Sequence, residues 1–261
     1  VYVLAARPGV GKTALALTIA RNVAAAGTPA VFYSLEMSRE ELTRRLLYAA
    51  GGISGWKVAH GHLKGEELDN MLQTARAAVG KLPLFIDDTA GLSAHQFRAR
   101  LRRYLAQHKT GLAVLDYLQL MTAPGSKENR VAQVSDISRQ VKLCAKEARI
   151  PVLLLSQLNR TGADAPPKLH HLRESGAIEQ DADAVLLLSQ TQESQDNVIH
   201  CDLAKNRCGR VGNVNLRFNR DIQVFTPYVN LPAQRSNNEY FDEAEPPPLD
   251  WENEEDDEEP F

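Results

Sequence analysis

Short apolar runs alternate with longer amphipathic segments along most of this chain. Residues 30–34, 111–116 and 151–156 are three such runs, without a polar residue at every second position. A strand with that pattern is buried on both faces. Between positions 131 and 148, apolar residues recur at three- and four-residue spacing, which predicts an amphipathic helix. Buried strands joined by helices predict a mostly parallel α/β sheet flanked by helices.

The same reasoning predicts further elements nearer the start of the chain. Residues 12–26 are strong helix formers. Ser38 is placed to cap the next helix, whose apolar face carries Leu42, Leu46 and Leu47. The remaining predicted elements are a helix over residues 66–79 and strands over residues 1–6, 83–87 and 184–188.

The pattern changes in the last part of the predicted sheet. Residues 198–205 and 213–218 alternate apolar and polar side chains, and they flank a Gly-containing turn at 208–212. We therefore expect an antiparallel hairpin at the C-terminal end of the sheet. The predicted organisation is one domain over residues 1–228, followed by a tail over residues 229–261.

Charge is distributed unevenly between the predicted domain and the tail. Residues 239–261 hold twelve Asp or Glu and no Lys or Arg, and three consecutive prolines lie among them. Like charges at this density repel, so we expect the tail to be disordered. In residues 1–238 the 30 basic side chains outnumber the remaining 21 acidic ones by 9, although the whole chain carries −3. A net positive charge on residues 1–238 is compatible with a polyanionic partner.

Composition excludes several classes of protein. With 43% hydrophobic and 24% charged residues in 261 positions, the chain has the material for a packed core and is not a fibrous or disordered protein. Cys144, Cys201 and Cys208 show no C-x-x-C spacing, which argues against a disulfide framework and against a zinc site. No apolar run approaches the roughly 20 residues of a membrane span, and no secretory signal opens the chain. We expect a cytoplasmic protein without a membrane partner.

A phosphate-binding loop lies between the first predicted strand and the first predicted helix. Residues 6–13 read ARPGVGKT, with Ala at the position of the usual first Gly. Gly9 and Gly11 allow successive backbone N–H groups to point at phosphate oxygens, and the helix adds its positive dipole end. Lys12 supplies charge to the β- and γ-phosphates, and Thr13 offers a hydroxyl to Mg²⁺. The candidate nucleotide-binding residues are Arg7, Pro8, Gly9, Val10, Gly11, Lys12, Thr13 and Ala14.

A magnesium–nucleotide site also needs a carboxylate at the end of a neighbouring strand. Asp87 or Asp88 and Asp116 all satisfy that requirement, and the pattern alone does not choose between them. Glu36 and Gln157 also follow predicted strands, so both are candidates for the same crevice. A carboxylate there can take a proton from an attacking water, and an amide can contact the γ-phosphate.

Five further strings occur in a fixed order after the phosphate loop. They are SLEM at 34–37, LDYLQLM at 115–121, LSQLNR at 155–160, LRESGAIEQDAD at 172–183 and AKNR at 204–207. With the loop, they make the chain resemble the motor domain of the DnaB-type replicative DNA helicases, which have a RecA-like fold. The resemblance implies ATP-driven unwinding of DNA by a homo-hexameric ring that encircles one strand. It also implies primase and a helicase loader as partners.

The resemblance assigns roles to the candidate residues of the crevice. It implies that Asp116 is the Walker B carboxylate, which holds Mg²⁺ through water; Thr13 and Asp116 are thus the candidate metal-site residues. Glu36 becomes the catalytic base, and Gln157 becomes the sensor of the γ-phosphate.

The resemblance further implies contacts to DNA and to a neighbouring subunit. Arg173, Glu174 and Gly176 match positions that touch a phosphate of the enclosed strand, which would read backbone rather than sequence. Lys205 and Arg207 match residues that reach the neighbour's ATP. Their spacing of two at the end of a strand predicts that both side chains lie on the same side.

The sequence is also compatible with two other functions. One is another RecA-like ATPase, such as a recombinase, although the SLEM and RESG strings argue against it. The other is a nucleotide-dependent accessory module of a helicase, which would not need Glu36 and Arg207 together. In the family, an N-terminal domain and a linker helix precede the motor domain, and neither lies within the 261 residues.

Overall fold

The computed structural model describes residues 1–122, 130–159, 166–172, 176–190 and 197–228. The predicted tail and two of the predicted DNA contacts, Arg173 and Glu174, lie outside these residues. In the described part of the chain, the strands β1 to β9 are Tyr2–Ala6, Ala30–Ser34, Leu84–Asp87, Leu112–Asp116, Val152–Gln157, Ala184–Ser189, Val198–Asn206, Gly212–Asn219 and Val224–Pro227. The helices α1 to α7 are Lys12–Ala25, Arg39–Gly51, Gly55–Ala59, Gly65–Val79, Ala94–His108, Arg130–Ala148 and Gly176–Asp181.

All nine strands belong to one sheet in the order β3-β2-β4-β5-β1-β6-β7-β8-β9. The pairs from β3 to β6 are parallel, and those from β6 to β9 are antiparallel. The predicted parallel sheet with a C-terminal antiparallel hairpin is therefore confirmed. The sequence did not predict α3, α7 or β9, since elements of four to six residues are too short to show a period.

The inner parallel strands are buried on both faces because helices cover both sides of the sheet. Val3 and Ala5 of β1 pack into one core, with α5, α6 and α7, while Leu4 and Ala6 pack into the other, with α1 and α2. This explains the uninterrupted apolar runs. Val131, predicted on the apolar face of α6, is 50% exposed, since it lies in the first turn, before the buried stripe.

The loop between β2 and α2 is fixed by local hydrogen bonds. Ser38 caps α2, as predicted: its hydroxyl accepts the Glu41 N–H, and the Glu41 carboxylate accepts the Ser38 N–H. The Ser34 hydroxyl in turn donates to the Met37 carbonyl over 2.7 Å. Both ends of the segment that carries Glu36 are thereby held.

Strand register brings the ends of the central strands to one edge of the sheet. Ala6, the last residue of β1, pairs with Gln157 of β5, and Ser34 of β2 pairs with Asp116 of β4. The chain segments that follow these strands therefore meet outside that edge. Among the described helices, none has the length and apolar character needed to cross a membrane.

Candidate functional site

The phosphate loop turns sharply between β1 and α1. Gly9 and Gly11 have φ angles of +80° and +104°, which L side chains rarely adopt. A Cβ on Gly11 would also lie 3.0 Å from the ring of Phe218 and 3.1 Å from that of Phe225. Gly11 is therefore required twice, by its backbone conformation and by the aromatic pair that packs against it.

Substitution of Gly11 by Ala should lower the free energy of unfolding by about 1–3 kcal/mol, because Ala is strained at this φ. Because the loop must shift away from Phe218, nucleotide affinity should also fall about tenfold. Thermal melting and titration with a fluorescent ATP analogue measure the two effects. Gly27→Ala is the matched control, since Gly27 has a φ of +84° but open space around its Cβ. A Gly27→Ala variant that lost as much affinity would contradict the role given to the Phe218 contact.

Lys12 and Thr13 meet a fully buried carboxylate at the end of β4. The Thr13 hydroxyl donates to Asp116 Oδ2 over 2.6 Å, and Lys12 Nζ lies 3.6 Å from Asp116 Oδ1. Burial lowers the pKa of Lys12, an effect that Asp116 and Glu36 partly oppose. Asp116 Oδ1 accepts no hydrogen bond from any described residue. A buried carboxylate oxygen without a donor, next to a hydroxyl, is the kind of oxygen pair that Mg²⁺ takes as ligands.

The other two candidate carboxylates are engaged elsewhere. Asp87 accepts hydrogen bonds from Arg100 and from the Thr89 hydroxyl, each over 2.7 Å. Asp88 accepts from the backbone and the guanidinium of Arg39. The structure thus places Asp116, and neither Asp87 nor Asp88, against the phosphate loop.

The phosphate loop lines a cavity of about 380 Å³. Of the predicted nucleotide-binding residues, only Val10 does not line it; the Val10 side chain packs on the core beside α1. Glu36 and Gln157 face the cavity from the ends of β2 and β5, as the sequence predicts. The lining residues are Ala6, Arg7, Pro8, Gly9, Gly11, Lys12, Thr13, Ala14, Glu36, Met37, Arg45, Tyr117, Gln157, Phe218, Arg220 and Gln223.

Gln157 is held in place through its backbone. Gln119 accepts the Gln157 N–H over 3.4 Å and donates to the Ser156 hydroxyl over 3.0 Å. Gln119 belongs to the LDYLQLM string, so it was within reach of sequence analysis but was not assigned a role.

Two cationic residues of the cavity were not predicted from the sequence. Arg45 of α2 lies between the buried Leu42 and Leu46 in sequence, and burial lowers its pKa, opposed by Glu41, Asp116 and Glu36. A cation among buried leucines was the available signal. Arg220, in the turn between β8 and β9, donates to the Gly9 carbonyl over 3.4 Å. No local signal predicts that this turn folds back over a loop more than two hundred residues earlier.

Lys205 and Arg207 lie at the end of the sheet where the parallel strands begin, opposite to the end that carries the phosphate loop. Lys205 donates to the carbonyl of Glu179, and Arg207 donates to that of Gln180, both at the carboxyl end of α7. The two side chains therefore point the same way, as their spacing predicts. Five residues of β1 separate this end from the loop, or about 17 Å of strand. Gly176 is the first residue of α7.

A phosphate loop at the carboxyl edge of a parallel sheet, with a buried Asp on a neighbouring strand, defines the class of P-loop nucleotide-binding proteins. Within that class, the chain belongs to the family described as "DnaB-like helicase C terminal domain", which matches residues 1–227. It is 41% identical over 256 residues to the replicative DNA helicase DnaB of Geobacillus stearothermophilus, covering 94% of this chain and 54% of the relative. Identity to the replicative DNA helicase DnaC of Bacillus subtilis (strain 168) is 40% over 256 residues, with the same coverage.

Solved structures agree with this family assignment. One that is described as an ATPase domain superposes with a TM-score of 0.80 at 33% identity, covering 87% of this chain and 84% of that one. A DnaB-like replicative helicase, described with its interactions with primase, has a TM-score of 0.79 at 33% identity and covers 86% and 56%. These neighbours confirm the RecA-like fold. The chain spans about half the length of the curated relatives it matches.

Proposed function

We propose that this chain is the ATP-hydrolysing motor domain of a replicative DNA helicase. The observation that carries the proposal is the arrangement of four groups around one site: the phosphate loop, Glu36 and Gln157 line a common cavity, and the buried Asp116 accepts a hydrogen bond from Thr13 of that loop. A phosphate-binding protein that did not hydrolyse would need only the first of these. Membership of the helicase family favours this function over a recombinase.

The cavity suits Mg²⁺·ATP. Backbone N–H groups of the loop and Lys12 would hold the β- and γ-phosphates. Thr13 and Asp116 would hold Mg²⁺, which neutralises charge on the transferred group. Glu36 would take the proton from a water that attacks the γ-phosphorus, while the bond to the β–γ bridging oxygen breaks and ADP leaves with the electron pair. Gln157 would donate a hydrogen bond to the γ-phosphate.

The position of Lys205 and Arg207 supports a homo-hexameric ring. Because β1 separates them from their own phosphate loop, they suit a nucleotide bound by a neighbouring subunit. Arg207 would stabilise the charge that develops during phosphoryl transfer. Arg173, Glu174 and Gly176 would contact phosphates of single-stranded DNA in the ring. Primase and a helicase loader are the proposed protein partners, and the cytoplasm is the proposed compartment.

An ATPase assay with and without single-stranded DNA tests the proposal. A motor domain should hydrolyse ATP, and DNA of any sequence should raise its turnover. Binding of ATP without turnover in either condition would instead favour a helicase accessory module. Stimulation only by duplex DNA would contradict the proposed ring around one strand.

Substitution of Arg45 by Ala should weaken ATP binding about tenfold, because a partly desolvated cation beside a triphosphate contributes a charge-assisted hydrogen bond. Titration with a fluorescent ATP analogue measures the loss. Arg44→Ala is the matched control, since the exposed Arg44 is adjacent in sequence but does not line this cavity. Equal losses in the two variants would show a general effect of charge rather than a contact from Arg45.

A further inference from the structure

The carboxylate of Asp183 lies between α6 and the end of β7. Asp183 Oδ1 accepts from Lys142 Nζ over 2.6 Å and from Arg207 Nη1 over 3.3 Å. Asp183 Oδ2 lies 2.5 Å from Lys142 Nζ. The Arg207 N–H also donates to the Asp183 carbonyl over 2.8 Å. Asp183 therefore contacts both the backbone and the side chain of Arg207.

The guanidinium of Arg207 is held at two of its nitrogens. Nη1 contacts Asp183, and Nη2 donates to the Gln180 carbonyl. Arg207 remains half exposed, with 48% of its side chain accessible. A long exposed side chain loses about 2 kcal/mol of conformational entropy when it is fixed in one geometry. The two acceptors restrict the Arg207 side chain before the neighbouring subunit binds. Less conformational entropy is therefore lost when the subunit interface forms.

The electrostatic setting favours a permanent negative charge beside the two cations. Burial works against ionisation of Asp183, but the hydrogen bonds and the positive charge of Lys142 lower its pKa. Lys205 has a lowered pKa, caused first by burial and then by repulsion from Arg207. Lys205 and Arg207 are thus close enough to repel, and Asp183 offsets that repulsion.

On the basis of the trans role of Arg207 in the proposed function, we propose that Asp183 is the positioning residue for Arg207. Asp183 orients the guanidinium that the subunit presents to its neighbour's nucleotide. Asp183 precedes β6 at the edge opposite the phosphate loop, so it cannot touch the nucleotide of its own subunit. Asp183 therefore affects turnover only by orienting Arg207, which acts at the active site of the neighbouring subunit.

Asp183→Asn is the test variant, because Asn keeps the shape and removes the charge. Turnover in hexameric preparations should fall about tenfold, which is the loss of one charge-assisted hydrogen bond. The KM for ATP should change less than twofold, since each nucleotide keeps its own loop. Asp181→Asn is the matched control: Asp181 is the last residue of α7, and its carboxylate accepts from the Ser138 hydroxyl over 2.8 Å. Its turnover should stay within twofold of wild type.

Complementation separates positioning from a general loss of structure. Asp183→Asn subunits carry an intact Glu36 site, and Glu36→Gln subunits carry an intact Asp183–Arg207 pair. Mixed rings should therefore regain turnover at the interfaces that combine the two. Asp183→Glu, which keeps the charge, is the second variant and should retain at least about a third of wild-type turnover, given the loss expected for one such bond.

Three results would overturn the inference. They are wild-type turnover in Asp183→Asn, an equal loss in Asp181→Asn, and mixed hexamers that regain no activity. If Arg207→Ala itself kept full turnover, the proposed trans role of Arg207 would be contradicted, and so would the inference about Asp183. If Arg207→Ala is inactive while Asp183→Asn is fully active, only the inference fails.

Discussion

Replacement of Arg207 by Ala should lower ATP turnover ~10³-fold or more, while nucleotide affinity changes far less. The guanidinium would act on charge that develops only in phosphoryl transfer, so its loss affects the transition state rather than the bound ATP. Steady-state phosphate release and titration with a fluorescent ATP analogue measure the two quantities separately. Arg210→Ala is a suitable control, since the exposed Arg210 lies in the same turn.

Mixing subunits shows whether Arg207 works in trans. Arg207→Ala and Glu36→Gln subunits should each be inactive alone. In mixed rings, some interfaces combine an intact Glu36 site with an intact Arg207, and these should regain turnover. The molecular mass of the mixture shows whether hexamers form. If hexamers form at an equal mixing ratio but stay inactive, Arg207 acts within its own subunit or only in folding.

Replacement of Glu36 by Gln should leave ATP binding intact and lower hydrolysis about 10²- to 10⁴-fold. The amide fills the same space at the end of β2 but cannot take a proton from water. Ser34 and Ser38 hold this segment without using the Glu36 side chain, so the fold should not change. Phosphate release, measured beside binding of the ATP analogue, checks both parts.

Glu40→Gln is the control for this variant. Glu40 lies in the first turn of α2, is exposed and does not line the nucleotide cavity. It loses the same charge four residues away. Glu36 is structural rather than catalytic if binding and turnover collapse together in Glu36→Gln while Glu40→Gln is normal.

Local sequence was sufficient for most of the secondary structure. The Ser38 cap and the three- and four-residue spacing in α6 depend on neighbours within one or two helical turns. The uninterrupted apolar runs specified strands with two covered faces, and hence a parallel sheet. The phosphate loop was equally local, because its glycines and Lys12 serve one turn of the backbone.

Contacts between distant segments were beyond such reasoning. Asp87 and Asp116 both end a strand, and only the strand order places Asp116 beside Thr13 while Arg100 engages Asp87. Arg45 was missed because its role depends on how α2 packs over the loop. The resemblance to the helicase family supplied the roles of Asp116 and Glu36, which residue spacing alone left open.

By itself, the sequence determined which segments are strands and helices, where phosphate would bind and to which family the chain is similar. These properties depend on residues close together along the chain, whose periodicity and turn chemistry act locally. Only the tertiary structure decided that Phe218 packs on Gly11 and that Asp183 holds Arg207 far from its own phosphate loop. Those contacts join residues far apart in sequence, and they follow from strand order and register, which no local pattern encodes.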